Sequence, residues 1–286
     1  MPQPILLIDG DNLLVRAAEA TRNRDLADQD GIPTAALVGF AMTLGRHIRD
    51  LQPYRVAVCW DAGHAQRSAL YPPYKANRHA SDSYRARARH LAVQLLTLTR
   101  IHQVRADGEE ADDLIAAHWA TATEPVVILS ADKDLLQLIG LTPTGWPCTQ
   151  LRPATGGAQH WDADRVRAEY GCSPEQLPSL MALIGDRADN IPGVPTFGTV
   201  RAAKHLRAAG WDLDSVDHPK AVAHREQTSI NLALIDLRTP RALELPPVPA
   251  FWPLTPGERF WPELADFLAR HQLTDLSGRL ALGRLW

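Results

Sequence analysis

The sequence is poor in cysteine and in long apolar stretches, and each shortage argues against a class of protein. Its 286 residues include only three cysteines, Cys59, Cys148 and Cys172, and no two of them form a CxxC pair. Neither a disulfide framework nor a zinc site is indicated, and free thiols fit a reducing compartment. No apolar run approaches the length that crosses a membrane, and no basic segment precedes the first one. We therefore expect a cytoplasmic protein without membrane contact.

Charge of one sign is not in excess overall, since the formal net charge is −3, but acids and bases are segregated along the chain. The segment 67–89 carries six basic residues and the single acid Asp82, whereas the segment 110–134 is mostly acidic. Opposite fields on one molecule suit an anionic polymer that is held over cations. With 45% hydrophobic residues, the chain has enough apolar side chains for one large domain or two unequal ones.

Acidic residues follow three apolar runs that are typical of buried strands. The runs 5–8, 55–60 and 126–129 lead into Asp9, Asp61 and Asp132 respectively. An amphipathic helix predicted over 34–51 joins the first two runs into a βαβ unit, so these strands are expected to be parallel. A helix that opens at residues 110–113 begins at the same sheet edge, where open α/β sheets carry their sites. The acids expected at this edge are Asp9, Asp61, Glu110, Asp112, Asp113, Asp132 and Asp134.

Each acid also has a structural explanation when it is taken alone. Glu110 and Asp113 favour the helix dipole, Asp132 caps the next helix, and an aspartate after a strand is usually a turn residue. Two acidic clusters on one edge indicate a bound cation, because crowded carboxylates raise one another's pKa values unless a cation keeps them ionised. Oxygen ligands without histidine or cysteine select Mg²⁺ or Mn²⁺.

A basic, aromatic segment covers residues 67–78, and Pro72 and Pro73 prevent it from forming a continuous helix. Such a loop suits a phosphate clamp with a stacking ring, and its alternative is a solvated surface loop.

Two helices joined by a glycine-containing turn are predicted further along the chain. A capping box at 173–176 starts the first helix, and residues 191–198 turn into the second, at 200–209. Open N–H groups at the start of the second helix can bind a phosphate, and Arg201, Lys204 and Arg207 add positive charge along it.

Three functional interpretations compete at this point. A haloacid dehalogenase-type phosphatase is suggested by residues 5–11, by Ser130 after a strand and by Gly185-Asp186. In that scheme, however, the Gly-Asp pair ends a helix instead of a strand, and the basic segment has no function. A metal-dependent phosphodiesterase that acts on nucleic acid would give a function to the acidic residues, the basic segment and the glycine-containing turn. A non-catalytic DNA-junction-binding protein is the third interpretation.

The motifs together resemble those of the 5′-nuclease family, which includes flap endonucleases and the 5′-3′ exonuclease domain of bacterial DNA polymerase I. They come in the family's order and run to about Leu206. The matching stretches are 6–10 with Arg16, Trp60-Asp61, Arg67 with 74–78, 110–113, 130–135 and 185–194.

This resemblance implies an α/β fold with a PIN-like, mostly parallel central sheet and helices on both faces. It implies a nuclease domain at 1–172 with a helical arch at about 64–98. The remainder, 173–286, is then a helical DNA-binding module, with a helix-three-turn-helix at about 173–209, followed by C-terminal helices.

The resemblance also implies the roles of individual residues. Lys75 and Arg78 reach the scissile phosphate, Tyr74 stacks on a flanking base, and Arg16 contacts the 5′ strand. The implied metal ligands are Asp9, Asp61, Glu110, Asp112, Asp113, Asp132, Asp134, Asp186 and Asp189, with Lys75, Arg78 and Asp132 as the catalytic group. The implied DNA-binding residues are Arg16, Arg67, Tyr74, Lys75, Arg78, Gly193, Gly198, Arg201 and Lys204.

One stretch departs from the family's pattern. The usual Gly-Ile-Gly with a lysine two residues on is replaced by Thr196-Phe197-Gly198 and Val200, which affects the expected duplex and K⁺ binding at this turn. We expect an active, free-standing, monomeric enzyme that uses two or more Mg²⁺ or Mn²⁺ ions on DNA with 5′ ends, flaps or nicks.

Overall fold

A mostly parallel sheet forms the centre of the molecule. The structure is a computed structural model that describes residues 2–22, 25–31, 33–77, 83–154, 157–238, 248–249 and 262–281. The strands within these residues are β1 Ile5–Asp9, β2 Arg55–Cys59, β3 His102–Val104, β4 Val126–Leu129, β5 Gly140–Leu141, β6 Pro147–Ala154 and β7 Gly157–Trp161. Their order in the sheet is β3-β2-β1-β4-β6-β5, and β7 pairs with β6. Among the described strands, the pairs β5–β6 and β6–β7 are antiparallel and the others are parallel.

Helices cover both faces of this sheet, which confirms the predicted PIN-like architecture. None of the described helices is long and apolar enough to span a bilayer. The helices are α1 Gly10–Ala20, α2 Ala35–Leu51, α3 Ala65–Leu70, α4 Ser83–Leu98, α5 Ala111–Ala120, α6 Ala163–Tyr170, α7 Leu177–Ile184, α8 Thr199–Ala208, α9 Pro219–Ala223, α10 Arg225–Ile235, α11 Pro262–Arg270 and α12 Thr274–Ala281. Short 3-10 turns occur at Asp134–Leu138 and Pro174–Gln176.

Alternate residues of β1 enter two different cores, as the period of a strand requires. Leu6 and Ile8 pack with Phe40 of α2 and with α4 on one face. Leu7 packs with Leu114 of α5 on the other face. Because both faces are buried, β1 is apolar along its whole length until Asp9.

A third core lies among the helices that follow the sheet. It joins α6, α7 and α8, with Leu180 and Leu206 fully buried in it. The last helices do not belong to this core, since Leu264 of α11 and Leu276 of α12 pack with the α2 and α4 side of the sheet. The division of the chain near residue 172 stays a prediction.

Candidate functional site

Three parallel strands end at one edge and deliver acidic residues there. β1 lies between β2 and β4, with Asp9 opposite Cys59 and Ile8 opposite Leu129. Asp61 follows β2 by two residues, and Asp132 follows β4 by three. The βαβ connectivity that was predicted from the apolar runs therefore brings these carboxylates to one place.

Asp9 is fixed by hydrogen bonds and surrounded by like charge. Its Oδ1 accepts from the backbone N–H of Asn12 at 3.0 Å and thereby caps α1. Its Oδ2 accepts from the Ser130 hydroxyl at 3.0 Å. Burial, with the charges of Asp61 and Asp132 in addition, raises the pKa of Asp9 well above its ordinary value. The carboxylate is held rigidly in a position where ionisation is unfavourable.

The start of α5 contributes a second group of acids. Glu110 is the N-cap residue of α5 and forms a capping box with Asp113. The N–H of Ala111 donates to Asp61 Oδ1 at 2.8 Å, which joins the start of α5 to the residue after β2. Burial of the carboxyl group, with the charges of Asp132 and Glu110 in addition, raises the pKa of Asp112.

The basic segment lies inside this acidic edge. Arg67 is 5% exposed, and its guanidinium donates to Glu110 at 2.7 Å and to Asp113 at 2.6 and 2.8 Å. The Tyr74 hydroxyl donates to Glu110 at 2.9 Å. Lys75 Nζ pairs with Glu110. Although burial raises the pKa of Glu110, Lys75 and Arg67 hold it below its ordinary value.

This placement differs from a solvated surface loop, which was the alternative interpretation of the segment. Arg67, Tyr74 and Lys75 are all buried, because unneutralised carboxylates on the same edge attract their polar groups. DNA contacts by these side chains stay a prediction. Arg78, the other residue of this segment that was predicted to reach the scissile phosphate, lies outside the described residues.

Asp134, Asp186 and Asp189 form a compact carboxylate cluster. One oxygen from each lies within 4.8 Å of the others. Asp134 Oδ1 is buried and has no hydrogen-bond partner in the described part of the chain. Lys133 Nζ lies 2.6 Å from Asp186, and although burial opposes it, this contact lowers the pKa of Asp186.

The cluster fits a divalent cation. The three carboxylates supply the hard oxygens that Mg²⁺ or Mn²⁺ prefers. Asp134 Oδ1 has the Lys133 ammonium 3.9 Å away but accepts no hydrogen bond in the described residues. Burial, and next the charge of Asp132, raise the pKa of Asp134. The raised pKa has the sign expected of a carboxyl group whose counter-charge is a bound ion.

The turn between α7 and α8 has the predicted open surface. Gly198 is the exposed N-cap residue of α8, and the first-turn residue Val200 is 86% exposed. Arg201 donates to the Thr196 hydroxyl at 3.1 Å, and Lys204 is exposed. Gly193 has a packing role that the sequence did not reveal, because a Cβ there would collide with the Ile184 carbonyl.

Arg16 lies apart from the carboxylates. It is exposed on α1, seven residues after Asp9, which is about 10 Å along a helix. It lines a cavity of about 650 Å³ together with Leu13, Met42 and Arg46. A 5′-strand contact by Arg16 stays a prediction.

Sequence reasoning missed three polar residues of the edge. Asp11 Oδ2 accepts from the N–H of Asp61 at 2.9 Å, and Arg89 Nε lies 2.9 Å from Asp11 Oδ1. The Asn12 side chain accepts from the N–H of Ala131 at 3.0 Å and so links β1 to β4. Adjacency to Asp9 was the available signal for Asp11 and Asn12, whereas nothing local marks Arg89.

Comparisons with known proteins agree with this geometry. The family model for the 5′-3′ exonuclease, N-terminal resolvase-like domain, matches residues 4–171. The chain is 32% identical over 265 residues to DNA polymerase I of Bacillus caldotenax, which covers 86% of this chain and 29% of that polymerase. It therefore spans less than a third of the length of that relative.

Solved structures share the fold. The bacteriophage T5 flap endonuclease, in a pseudo-enzyme-product complex with DNA and metal ions, superimposes with a TM-score of 0.69 at 22% identity, covering 82% of this chain and 90% of that one. Flap endonuclease-1 from Methanococcus jannaschii gives 0.61 at 16% identity, covering 100% of this chain and 92% of that one. With the family match over more than half of the chain, and the motifs in order at one sheet edge, this protein belongs to the 5′-3′ exonuclease family of 5′-nucleases.

Proposed function

We propose that this protein is a structure-specific 5′-3′ exonuclease and flap endonuclease that hydrolyses DNA phosphodiester bonds with two or more Mg²⁺ or Mn²⁺ ions. One observation carries the proposal. The enclosed carboxyl groups of Asp9, Asp112 and Asp134 all have raised pKa values, with burial as the largest cause and neighbouring carboxylates next. Divalent cations remove that penalty, and phosphodiester hydrolysis is the chemistry that such pairs of ions support.

The carboxylates fall into two groups that differ in their present partners. Asp134, Asp186 and Asp189 would hold one ion, and Asp9, Asp61, Asp112 and Asp132 would hold another. Glu110 and Asp113 face basic and hydroxyl groups and would complete the ligand shell through exchange of those partners. When bound, the ions supply activation of the attacking water and neutralise charge on the phosphate.

Lys75 is the residue of this chain that we assign to the scissile phosphate. Its ammonium pairs with Glu110 and lies 3.7 Å from Asp189. Although burial lowers it, the charges of Glu110 and Asp112 raise the pKa of Lys75, so it stays protonated. Cations on these acids would free the ammonium for the phosphate, where its attraction grows as charge develops. Arg78 would share this role.

The exposed features of the helical part support binding of duplex DNA. The N–H groups at the start of α8, with Arg201 and Lys204 on the same helix, suit backbone phosphates. We assign the helix-three-turn-helix role, with any K⁺ site, to this turn, and the arch role to 64–98. Arg16 is assigned to the 5′ strand and Tyr74 to a flanking base. The DNA substrate carries a 5′ end, flap or nick, and the enzyme acts as a monomer.

A dehalogenase-type phosphatase is disfavoured by the structure. Gly185 ends the helix α7, so the Gly-Asp pair does not follow a strand as that scheme requires. The Asp9 carboxylate also caps α1 and accepts from Ser130, which orients both of its oxygens towards donors. A non-catalytic DNA-junction binder shares every binding feature and is separated from a nuclease only by turnover.

The test incubates the purified protein with Mg²⁺ and 5′-labelled flap, nicked, single-stranded and blunt DNAs, with a phosphatase substrate alongside. We expect cleavage near the 5′ end or flap junction and no phosphatase turnover. Asp132→Ala should remove cleavage, and Lys75→Ala should slow single-turnover cleavage by about 100-fold with little change in DNA affinity. Excess EDTA should stop the reaction.

The control is Asp164→Ala, which removes an acid whose side chain is 92% exposed on α6, away from the sheet edge. It should cleave like the wild type. Turnover in excess EDTA, or full activity of Asp132→Ala, would overturn the two-metal proposal. DNA binding without cleavage of any substrate would favour the non-catalytic interpretation.

A further inference from the structure

The turn that carries Lys75 is joined to the turn after α7. We name these segments the lysine turn, residues 71–77, and the aspartate turn, residues 186–191. The side-chain amide of Asn190 donates to the carbonyl of Pro73 at 2.7 Å. A residue of the aspartate turn thereby holds the backbone of the lysine turn.

Two further hydrogen bonds complete the junction. The backbone N–H of Lys75 donates to the carbonyl of Asp189 at 2.9 Å. The side-chain amide of Asn77 donates to the carbonyl of Arg187 at 3.0 Å. The turns are therefore connected on both sides of Lys75 and at Lys75 itself, which fixes its backbone relative to the carboxylate cluster.

Both central residues have a backbone conformation that the junction must maintain. Lys75 has φ of 53° and Asn190 has φ of 58°. This left-handed region is unfavourable for a lysine and better tolerated by asparagine. Residues hold such conformations when the surrounding structure over-determines them, and they are concentrated at functional sites.

We propose that Asn190 is a positioning residue for the cleavage reaction, and that it acts through Lys75. The inference rests on the proposed function, in which the Lys75 ammonium contacts the scissile phosphate. The Asn190 amide would hold that ammonium in place through the lysine turn. The hydrogen bond of that amide is to the Pro73 carbonyl and not to a carboxylate of the cluster. Asp189, the residue before Asn190, belongs to the carboxylate cluster that is proposed to bind a cation. This stretch of backbone would therefore set the distance between the bound ion and the Lys75 ammonium.

The test compares Asn190→Gly with the wild type in single-turnover cleavage of a 5′-flap DNA at saturating enzyme and Mg²⁺. Glycine tolerates the left-handed backbone and removes the whole side chain with its amide donor. We expect cleavage to slow by about tenfold, since small misplacement of a catalytic group is costly. The dissociation constant for DNA and the Mg²⁺ concentration at half-maximal rate should change by less than about twofold, because the Asn190 amide bonds to the Pro73 carbonyl and not to a carboxylate.

A double-mutant cycle separates positioning from general stability. In a Lys75→Ala background, Asn190→Gly should slow cleavage by less than about twofold, because its effect is expressed through the missing ammonium. Asn77→Ala removes the hydrogen bond on the other side of the lysine turn. It should likewise slow cleavage when Lys75 is present and have little effect in the Lys75→Ala background. If the glycine variant does not fold, Asn77→Ala serves as the second variant, because it adds no charge near the carboxylate cluster.

Gln52→Gly is the matched control. Gln52 also has a left-handed backbone, with φ of 46°, and its amide donates to the Arg49 carbonyl at the end of α2. It should leave cleavage unchanged. An equal loss from Asn190→Gly with and without Lys75, or a raised Mg²⁺ requirement, overturns the inference. Normal cleavage by Lys75→Ala instead overturns the role proposed for Lys75, which is a separate failure.

Discussion

Replacing Asp11 with asparagine tests whether the acidic edge is electrostatically strained without cations. Asp11 Oδ2 accepts from the N–H of Asp61 at 2.9 Å, and its other oxygen pairs with Arg89. Burial, and next the charge of Asp61, raise the pKa of Asp11 from 3.8 to about 6. Asparagine preserves an acceptor for the N–H and removes the charge.

The expected change in stability follows from that shift. A pKa raised by about two units corresponds to about 3 kcal/mol against the ionised folded form. The raised pKa already includes the attraction of Arg89. The side chains of Asp11 and Arg89 are 25% and 32% exposed, so solvent screening reduces the expected gain to about 1 kcal/mol. We expect Asp11→Asn to raise the free energy of unfolding by about this amount at pH 8 in EDTA.

The pH dependence has a definite sign. Because the pKa of Asp11 is higher in the folded state than in the unfolded chain, the folded state binds more protons between the two values. The wild-type protein therefore gains stability from this group as the pH falls through about 6, whereas Asp11→Asn lacks that gain. Denaturant unfolding in EDTA at pH 8 and at about pH 5.5 measures both quantities.

Asp50→Asn provides the control, because Asp50 pairs with Arg46 at 3.6 Å on the surface with its side chain 63% exposed. It should change the free energy of unfolding by less than about 0.5 kcal/mol at either pH. The reasoning is refuted if Asp11→Asn is less stable than the wild type at pH 8 by about 1 kcal/mol or more, since the ion pair with Arg89 would then outweigh the repulsion from Asp61.

Four further substitutions, one of them a control, test other parts of the structure. Val200→Lys should tighten binding to a nicked duplex by about 1 kcal/mol and steepen its salt dependence by about one unit. Folding should be unchanged, because Val200 is 86% exposed. A salt titration that shows weaker binding would contradict this prediction. Gly193→Ala should lower the free energy of unfolding by about 2 kcal/mol through collision with the Ile184 carbonyl, whereas Gly198→Ala, with open space at its Cβ, should be nearly neutral in the same denaturant assay. Arg67→Lys should cost about 2 kcal/mol, because one ammonium cannot replace the fork of donors that holds Glu110 and Asp113, and an unchanged denaturation midpoint would count against that role.

The sequence was sufficient for the sheet and for the acidic edge because both depend on local patterns. Apolar runs that end in an aspartate define buried parallel strands, and the chirality of βαβ units then determines which ends meet. The capping box at Ser173 was readable for the same reason, since its two partners are three residues apart. Asp9, Asp61 and Asp132 were placed correctly without any knowledge of the side chains around them.

Pairings between distant segments were not predictable from such patterns. Arg67 was predicted as part of a phosphate clamp, and its contact with Asp113, 46 residues away in the chain, was not predicted. Its Nε donates to the carbonyl of Leu234, which is 167 residues away. Periodicity shows which face of a helix or strand is buried but not which distant segment packs against it. The burial of a charged side chain depends on such distant contacts, which form only in the folded chain.

The burial of these basic groups shapes the electrostatic field that a chain of net charge −3 presents to a polyanion. Lys75 and Arg67 are engaged by Glu110 and Asp113, so they do not offset the field of the other acids at this edge. Without cations, that edge repels phosphate, whereas exposed Arg201 and Lys204 attract it elsewhere. In the proposed nuclease, divalent ions would reverse the field only at the edge and would free the ammonium of Lys75 there. Duplex anchoring and phosphate engagement would then be separable steps, with metal occupancy controlling the second one.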